Sequence, residues 1–259
     1  MNKKIIGMIH TLASPGTPKF SNNIDKIISK ALDEARIYKS HGIDAIIIEN
    51  MHDVPYQNRN VGPEVTSLLS IISYEVKNEF KKEVGIQVLA GANKEALAIA
   101  KCADLNFIRA EGFVFAHTAD EGIIESDAAE ILRYRKMINA ENVKVYTDIK
   151  KKHSSHSITS DVTLVGTAKA AEFFLSDGVI ITGKSTGEEV DLAELKSVRD
   201  KISIPVLIGS GITSDNLKKY FEFADAFIIG SYFKKDGKWY NDLDERMIEK
   251  LINEAHQLR

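Results

Sequence analysis

A single cysteine, Cys102, is all the sequence offers for sulfur–sulfur chemistry. An internal disulfide is therefore excluded, and a reducing compartment fits. Its place in a helical pattern is that of a small apolar residue. Positive charge is not in excess. With 34 Lys and Arg against 37 Asp and Glu, the formal net charge is −3, so no bulk field favours nucleic acid or an anionic membrane. Long hydrophobic runs are missing too. The apolar stretch at 5–9 is cut by His10, too short for a secretory signal. No run approaches the roughly 18 apolar residues that a spanning helix needs. These absences predict a cytoplasmic protein with no membrane insertion and no nucleic-acid partner. No Pro/Gly/Ser-rich linker, low-complexity tract or second-domain signal interrupts the chain, so 1–259 is expected to be one domain.

What is present is a regular alternation. Strand-like apolar runs fall at 5–9, 43–48, 86–90, 106–110, 143–149, 178–182, 205–208 and 226–229. Between them lie helical patterns at about 23–40, 63–82, 94–102, 127–139, 161–175, 191–201, 214–222 and 242–258. Ile24, Ile27, Ile28, Ala31 and Ala35 carry the i, i+3, i+4 spacing. Asp127 and Asp191, each with a glutamate three residues on, read as helix N-caps. Several runs are continuously β-branched, as in strands covered on both faces. A doubly wound open sheet competes with a closed barrel. Eight even βα units favour a single-domain α/β fold, the (β/α)8 TIM barrel. The long irregular pieces, 10–22, 49–62, 111–126 and 150–160, all follow strands, which puts them at the catalytic face of such a barrel.

Period-2 alternation then selects the candidate catalytic groups. Ala45, Ile47 and Glu49 share a side, so Glu49 ends at the barrel mouth with Asn50 beside it. Arg109 and Glu111 face inward together, and a buried arginine calls for a carboxylate or phosphate. On the fifth strand Tyr146, Asp148 and Lys150 face inward, an acid/base pair two residues apart. His153 adds a group that titrates near neutrality, and His10 stands on the rim. Lys151 and Lys152 read as a solvated lysine run. His153 and His156 alone specify no metal site, because spacing supplies no third ligand, though Asp148 would be the natural one. No metal and no cofactor is assigned.

Two strands end in glycine turns, Gly209-Ser210-Gly211 and Gly230-Ser231. Backbone N–H groups approach an anion closely only where no Cβ intervenes, and a helix start after Gly211 would add its dipole. This pair is the expected phosphate cup. Residues 178–185 fit the nucleotide-binding P-loop pattern in letters only, because Val179–Thr182 are the strand itself. What remains there is a polar loop containing Gly183, Lys184 and Gly187, able to touch a hydroxylated or phosphorylated ligand. Lys184 as an imine-forming lysine is the lesser reading, since it lies beyond the strand in water.

The segments GMIHTLASPGTP, GIDAIIIENMHDVPY, NFIRAEGF with DEGII, EILRYRK, VKVYTDIKKKHSSHSI, TGKSTG, PVLIGSGIT and DGKWYNDLDERMIEKLI, in this order, resemble the BtpA family nearly end to end. The resemblance implies a ribulose-phosphate-binding-type barrel. It maps the family pattern onto His10, Glu49, Asn50, Asp53, Arg109, Asp148, Lys150, His153, Gly183, Thr186, Gly187, Gly209, Gly211 and Gly230. The chain departs from that pattern at Leu89–Asn93 and at Glu111.

Two functions follow as expectations. One is an enzyme acting on a small phosphorylated or hydroxylated sugar- or nucleoside-like ligand. Asp148, Lys150, Glu49 and His153 would do its chemistry. Asn50, Arg109, Gly183, Gly187, Gly209, Ser210, Gly211, Gly230 and Ser231 would hold the ligand. Lyase, isomerase and glycosyl-transfer or hydrolysis chemistry all use such groups. The other, implied by a family named for photosystem I biogenesis, is a non-catalytic factor in membrane-complex biogenesis. A homo-oligomer is compatible with either.

Overall fold

The computed structural model describes residues 3–183 and 188–259. Eight parallel strands form a closed barrel: β1 (Lys4–His10), β2 (Ala45–Glu49), β3 (Glu83–Gln87), β4 (Phe107–Ala110), β5 (Lys144–Ile149), β6 (Gly178–Ile181), β7 (Val206–Ile208) and β8 (Ala226–Ile229). Each strand pairs with its neighbours in chain order, and β8 closes on β1 through Lys4–Ala226 to Gly7–Ile229.

Helices follow the strands: α1 (Ile24–Ser40), α2 (Pro63–Phe80), α3 (Asn93–Cys102), α4 (Ala128–Met137), α5 (Leu164–Phe173), α6 (Leu192–Arg199), α7 (Leu217–Tyr220) and α8 (Glu245–Leu258). Their faces match the 3.6 period. In α1, Ile27, Ala31, Ala35 and Tyr38 are buried, and the Asn23 side chain caps by accepting from the Lys26 N–H. In α8, Ile248, Leu251, Ile252 and Ala255 are buried. Asp191 caps α6 through the N–H groups of Ala193 and Glu194. Asp127 occupies the N-cap position of α4, but its side chain makes no capping bond. Its Oδ2 instead accepts from Asn93 and Arg59, so a tertiary partnership displaces the local one. Cys102, last in α3, is exposed rather than packed.

Two apolar layers result. The larger lies between strands and helices. The smaller fills the barrel: Ile6, Met8, Ala45, Ile47, Phe107, Ile180, Leu207, Ala226 and Ile228, with Tyr146 against it. That plug closes the lower lumen, so a ligand reaches the polar upper layer only from the strands' C-terminal end.

Three local departures bear on the site. β3 begins and ends three residues before the expected 86–90, because residues beyond Gln87 are captured by the β2 loop. The Leu89 N–H donates to Asn50 Oδ1 at 2.7 Å, and the Ala90 N–H donates to the Gln57 carbonyl. The helix expected at 214–222 shrinks to the single turn α7, since Asn216 folds back onto the Thr213 N–H and the Gly211 carbonyl. Finally, the loops after β4 and β5 build a small antiparallel sheet in which His117–Ala119 lies between Gly122–Ile124 and Ser154–Ser155.

Candidate active site

The barrel mouth opens into a cavity of about 670 Å³. Lumen-facing residues at the strand ends form its floor. His10, Glu49 and Gln87 sit side by side on β1, β2 and β3, in register across the ladders. Arg109 on β4 and Asp148 on β5 continue the ring. Arg109 donates two parallel hydrogen bonds to Asp148, Nε to Oδ2 at 2.8 Å and Nη2 to Oδ1 at 2.9 Å. Both side chains are buried. Burial opposes the arginine's charge, but the Asp148 carboxylate more than offsets it and holds the guanidinium's pKa above its usual value.

Glu49 is the unusual acid. Burial pushes its pKa up to about 7, against the opposing pull of Arg109 and Lys152. Its Oε2 lies 3.4 Å from His10 Nε2. That contact is not an ion pair near neutrality. Burial, with Lys234 nearby, holds His10 down to about 3. The other ring nitrogen, Nδ1, is 2.9 Å from the Trp239 carbonyl. A carbonyl only accepts, so Nδ1 carries the proton and Nε2 presents its lone pair to Glu49. A protonated Glu49 and a neutral His10 therefore face each other, and the carboxyl ionises within the physiological range. The stability sign follows. The folded acid holds its proton between pH 4.5 and 7, where the unfolded one has lost it. Stability supplied by the neutral form should thus fall by about 3 kcal/mol across that window. Glu49→Gln should remove this slope in denaturant titrations run at several pH values. An unchanged slope would show that Glu49 is ordinarily solvated.

The other expected residues divide. His153, Gly209, Ser210, Gly211, Gly230 and Ser231 all line the mouth. Asn50 does not: its Oδ1 holds the Leu89 N–H, and its Nδ2 donates to Asp53 Oδ2 at 2.9 Å. Its amide splices the β2 and β3 loops. The Gly183 N–H is spent on Ser210 Oγ at 2.8 Å, and a Cβ there would sit 2.4 Å from the Glu188 carbonyl oxygen. Gly187 and Lys184 lie outside the described residues.

Lys150 is a correction. Its φ of +44° breaks the strand's alternation, so its side chain leaves the lumen. Nζ donates to the Thr159 carbonyl at 3.1 Å, beside a separate cavity of about 20 Å³. Asp148 therefore pairs with Arg109, not Lys150. The turn brings Lys151 and Lys152 into the mouth instead. Lys151 Nζ donates to Glu111 Oε2 at 2.9 Å, and Gln87 Nε2 donates to Glu111 Oε1 at 2.9 Å. A solvated run does not describe these two lysines.

The glycines differ in why they are needed. Gly211 has φ +73°, and a Cβ would meet the Glu188 carbonyl oxygen at 2.1 Å. Backbone packing demands it. At Gly230 a Cβ would make only ordinary contacts, 3.6 Å to Met8 and 3.8 Å to His10. The missing side chain there leaves room in the mouth. No substantial helix start backs this rim: α7 is one turn, and Ser231–Phe233 is a three-residue 3-10 turn.

Sequence reasoning missed Gln87 and Trp239. Gln87 Oε1 is buried with no hydrogen-bond partner among the described residues, at the cavity wall. The Trp239 ring packs against His52 at a tilt of 56° with centroids 4.9 Å apart, and meets His10 edge-on. Its being the only tryptophan in the chain was the available signal.

The sequence profile of the BtpA family matches residues 1–257. The chain belongs to the BtpA family. An uncharacterized mitochondrial protein of Caenorhabditis elegans is 46% identical over 98% of this chain and 94% of its own length. The photosystem I biogenesis protein BtpA of Synechocystis is 32% identical, covering 96% of this chain and 86% of that protein. Among solved structures, N-(5'-phosphoribosyl)anthranilate isomerase of Pyrococcus furiosus superposes with a TM-score of 0.60 at 14% identity, over 98% of this chain and 99% of the isomerase. That likeness shows a shared TIM-barrel fold. Among the described residues, no helix is long and apolar enough to cross a membrane.

Proposed function

We propose that this BtpA-family barrel is an enzyme that moves a proton on a small phosphorylated, hydroxylated compound. The observation that carries the reading is Glu49, a buried carboxyl ionising near pH 7 inside a cavity rimmed by side-chain-free backbone. Such a group exchanges protons efficiently at neutral pH, whereas an ordinary surface glutamate is almost always ionised there. The unpartnered Gln87 Oε1 supports a hydroxyl donor on the ligand, because a buried acceptor left open is costly. Ser210, Gly211, Gly230 and Ser231 would receive the phosphate through backbone N–H groups, while the Gly209 N–H is committed to the Ile181 carbonyl at 2.8 Å and Gly209 contributes only the space its missing side chain leaves. The isomerase of the same fold acts, by its name, on a phosphoribosyl compound. At that identity the phosphate assignment rests on the rim alone.

Gly230→Ala tests it. One methyl enters the mouth without colliding with the backbone. Binding of ribose 5-phosphate, followed by calorimetry, should weaken at least tenfold while the melting temperature stays within a few degrees. Unchanged affinity would remove the phosphate from this rim. Gly211→Asp would be a poor probe, because its Cβ strikes the Glu188 backbone and folding itself would suffer.

The assembly reading has one observation of its own. Phe173 and Leu175, 81% and 70% exposed, lie at the end of α5 that precedes β6, away from the mouth. An apolar surface there suits a protein partner or a second copy. It leaves the polar mouth unexplained, so catalysis is the stronger reading. The exposed thiol of Cys102 suits a reducing compartment such as the cytoplasm.

A further inference from the structure

Among the described residues, Lys152 stands apart from the other Lys and Arg side chains of the mouth. Arg109 is committed to Asp148 and Lys151 to Glu111, while Lys150 is turned out of the mouth to the Thr159 carbonyl. The Lys152 side chain forms no ion pair and no hydrogen bond with any described residue, although carboxylates line the same cavity. Its position is built. Two left-handed residues, Lys150 at φ +44° and His153 at φ +54°, bracket the turn that carries it. Its backbone N–H donates to Thr182 Oγ1 at 3.0 Å, tying it to the end of β6. Its charge acts on His10 of β1, Glu49 of β2, Arg109 of β4 and Asp148 of β5. Lys152 lines the same cavity as those four groups.

We propose that Lys152 is a catalytic residue whose amine forms an imine with an aldehyde or ketone substrate. This rests on the mouth being the active site and names the substrate class as carbonyl compounds. The Nζ lone pair attacks the carbonyl carbon, and the displaced C–O electrons take up a proton to give a carbinolamine. The nitrogen releases a proton, and the hydroxyl is protonated and leaves as water, giving the protonated imine. Glu49, as its neutral acid, is placed to supply that proton and as its carboxylate to remove the next from the adjacent carbon. No oxidant or reductant is consumed. Burial first, and the Arg109 charge second, depress the lysine's pKa, which favours the free amine that attack requires. Lys151 shows the contrast: the Glu111 carboxylate overrides its burial and keeps it protonated.

Reductive trapping tests this on the full chain. Glycolaldehyde with borohydride at neutral pH should modify Lys152 at least tenfold more than any other lysine, read by peptide mass mapping. Lys152→Met and Lys152→Arg should both abolish that excess. The arginine variant keeps the charge and serves if the methionine variant does not fold. Labelling spread over exposed lysines, with no excess at Lys152, would overturn the proposal. Glyceraldehyde 3-phosphate as a second probe separates this inference from the phosphate rim. Selective labelling by both aldehydes at equal concentrations would leave Lys152 standing and remove the rim. Tighter labelling by the phosphorylated aldehyde would support both.

Discussion

Arg109→Met should lower stability by about 3–5 kcal/mol in urea unfolding, the largest loss expected from any single change in the mouth. The Asp148 side chain is 1% exposed and receives both Arg109 bonds. Without the guanidinium, a carboxylate is left desolvated at the top of an apolar plug. It must then protonate, draw in water or distort the strand ends. Arg109→Lys should recover little, because one ammonium cannot reproduce two parallel bonds. The double substitution Arg109→Met with Asp148→Leu should recover most of the loss, since the isolated charge is what destabilises. It should not recover ligand binding. A single-variant loss below about 1 kcal/mol would mean that water solvates the pair and that it does not tie β4 to β5.

If the proposed proton chemistry is right, Glu49→Gln should leave the fold intact and reduce turnover by about 10²–10⁴-fold on any phosphorylated carbonyl compound that the wild-type protein converts. The amide preserves size and hydrogen bonding but cannot exchange a proton. The pH dependence supplies the signature. With Glu49 ionising at about 7, wild-type turnover limited by proton abstraction should climb as pH rises through that value. In the glutamine variant this limb should vanish. His10→Asn should shift the limb without erasing it, because His10 orients the acid through its unprotonated Nε2. Turnover within threefold of wild type for Glu49→Gln would end its role as acid or base.

The fold was legible because its signals are local and repeated eight times. Apolar runs of four or five residues and amphipathic helices do not depend on distant partners. Within the strands, period-2 alternation also placed the side chains: Glu49 follows Ala45 and Ile47 inward, and Arg109 and Asp148 follow Phe107 and Tyr146. Alternation stopped working one residue beyond the strand. Lys150 adopts a left-handed conformation, which nothing in its side chain favours, and the next two lysines exchange places with it. Asn50 and Gly183 looked like ligand contacts, yet their polar groups are spent on Leu89 and Ser210. Those bonds link residues far apart in sequence, so no window of the chain reveals them. Gln87 was hidden by the misplaced start of β3.

Arg59 gives the rim a modular character. Its guanidinium donates to the Gly91 carbonyl at 3.0 Å and the Gly112 carbonyl at 3.1 Å, and also to the Glu125 carbonyl and Asp127. Its own N–H donates to the Ala90 carbonyl at 3.0 Å. One side chain from the β2 loop thus clasps the segments that follow β3 and β4. For protein engineering, those three loops are a single cassette. Exchanging one alone strands several acceptors around a severed clasp, whereas transplanting all three with Arg59 carries a self-bracing half-rim onto another barrel of matching shear. The loops after β7 and β8 lie outside that clasp and are tied elsewhere, to the end of β6 through Ser210 and Gly183 and to β1 through Trp239 and His10, so they form a second cassette.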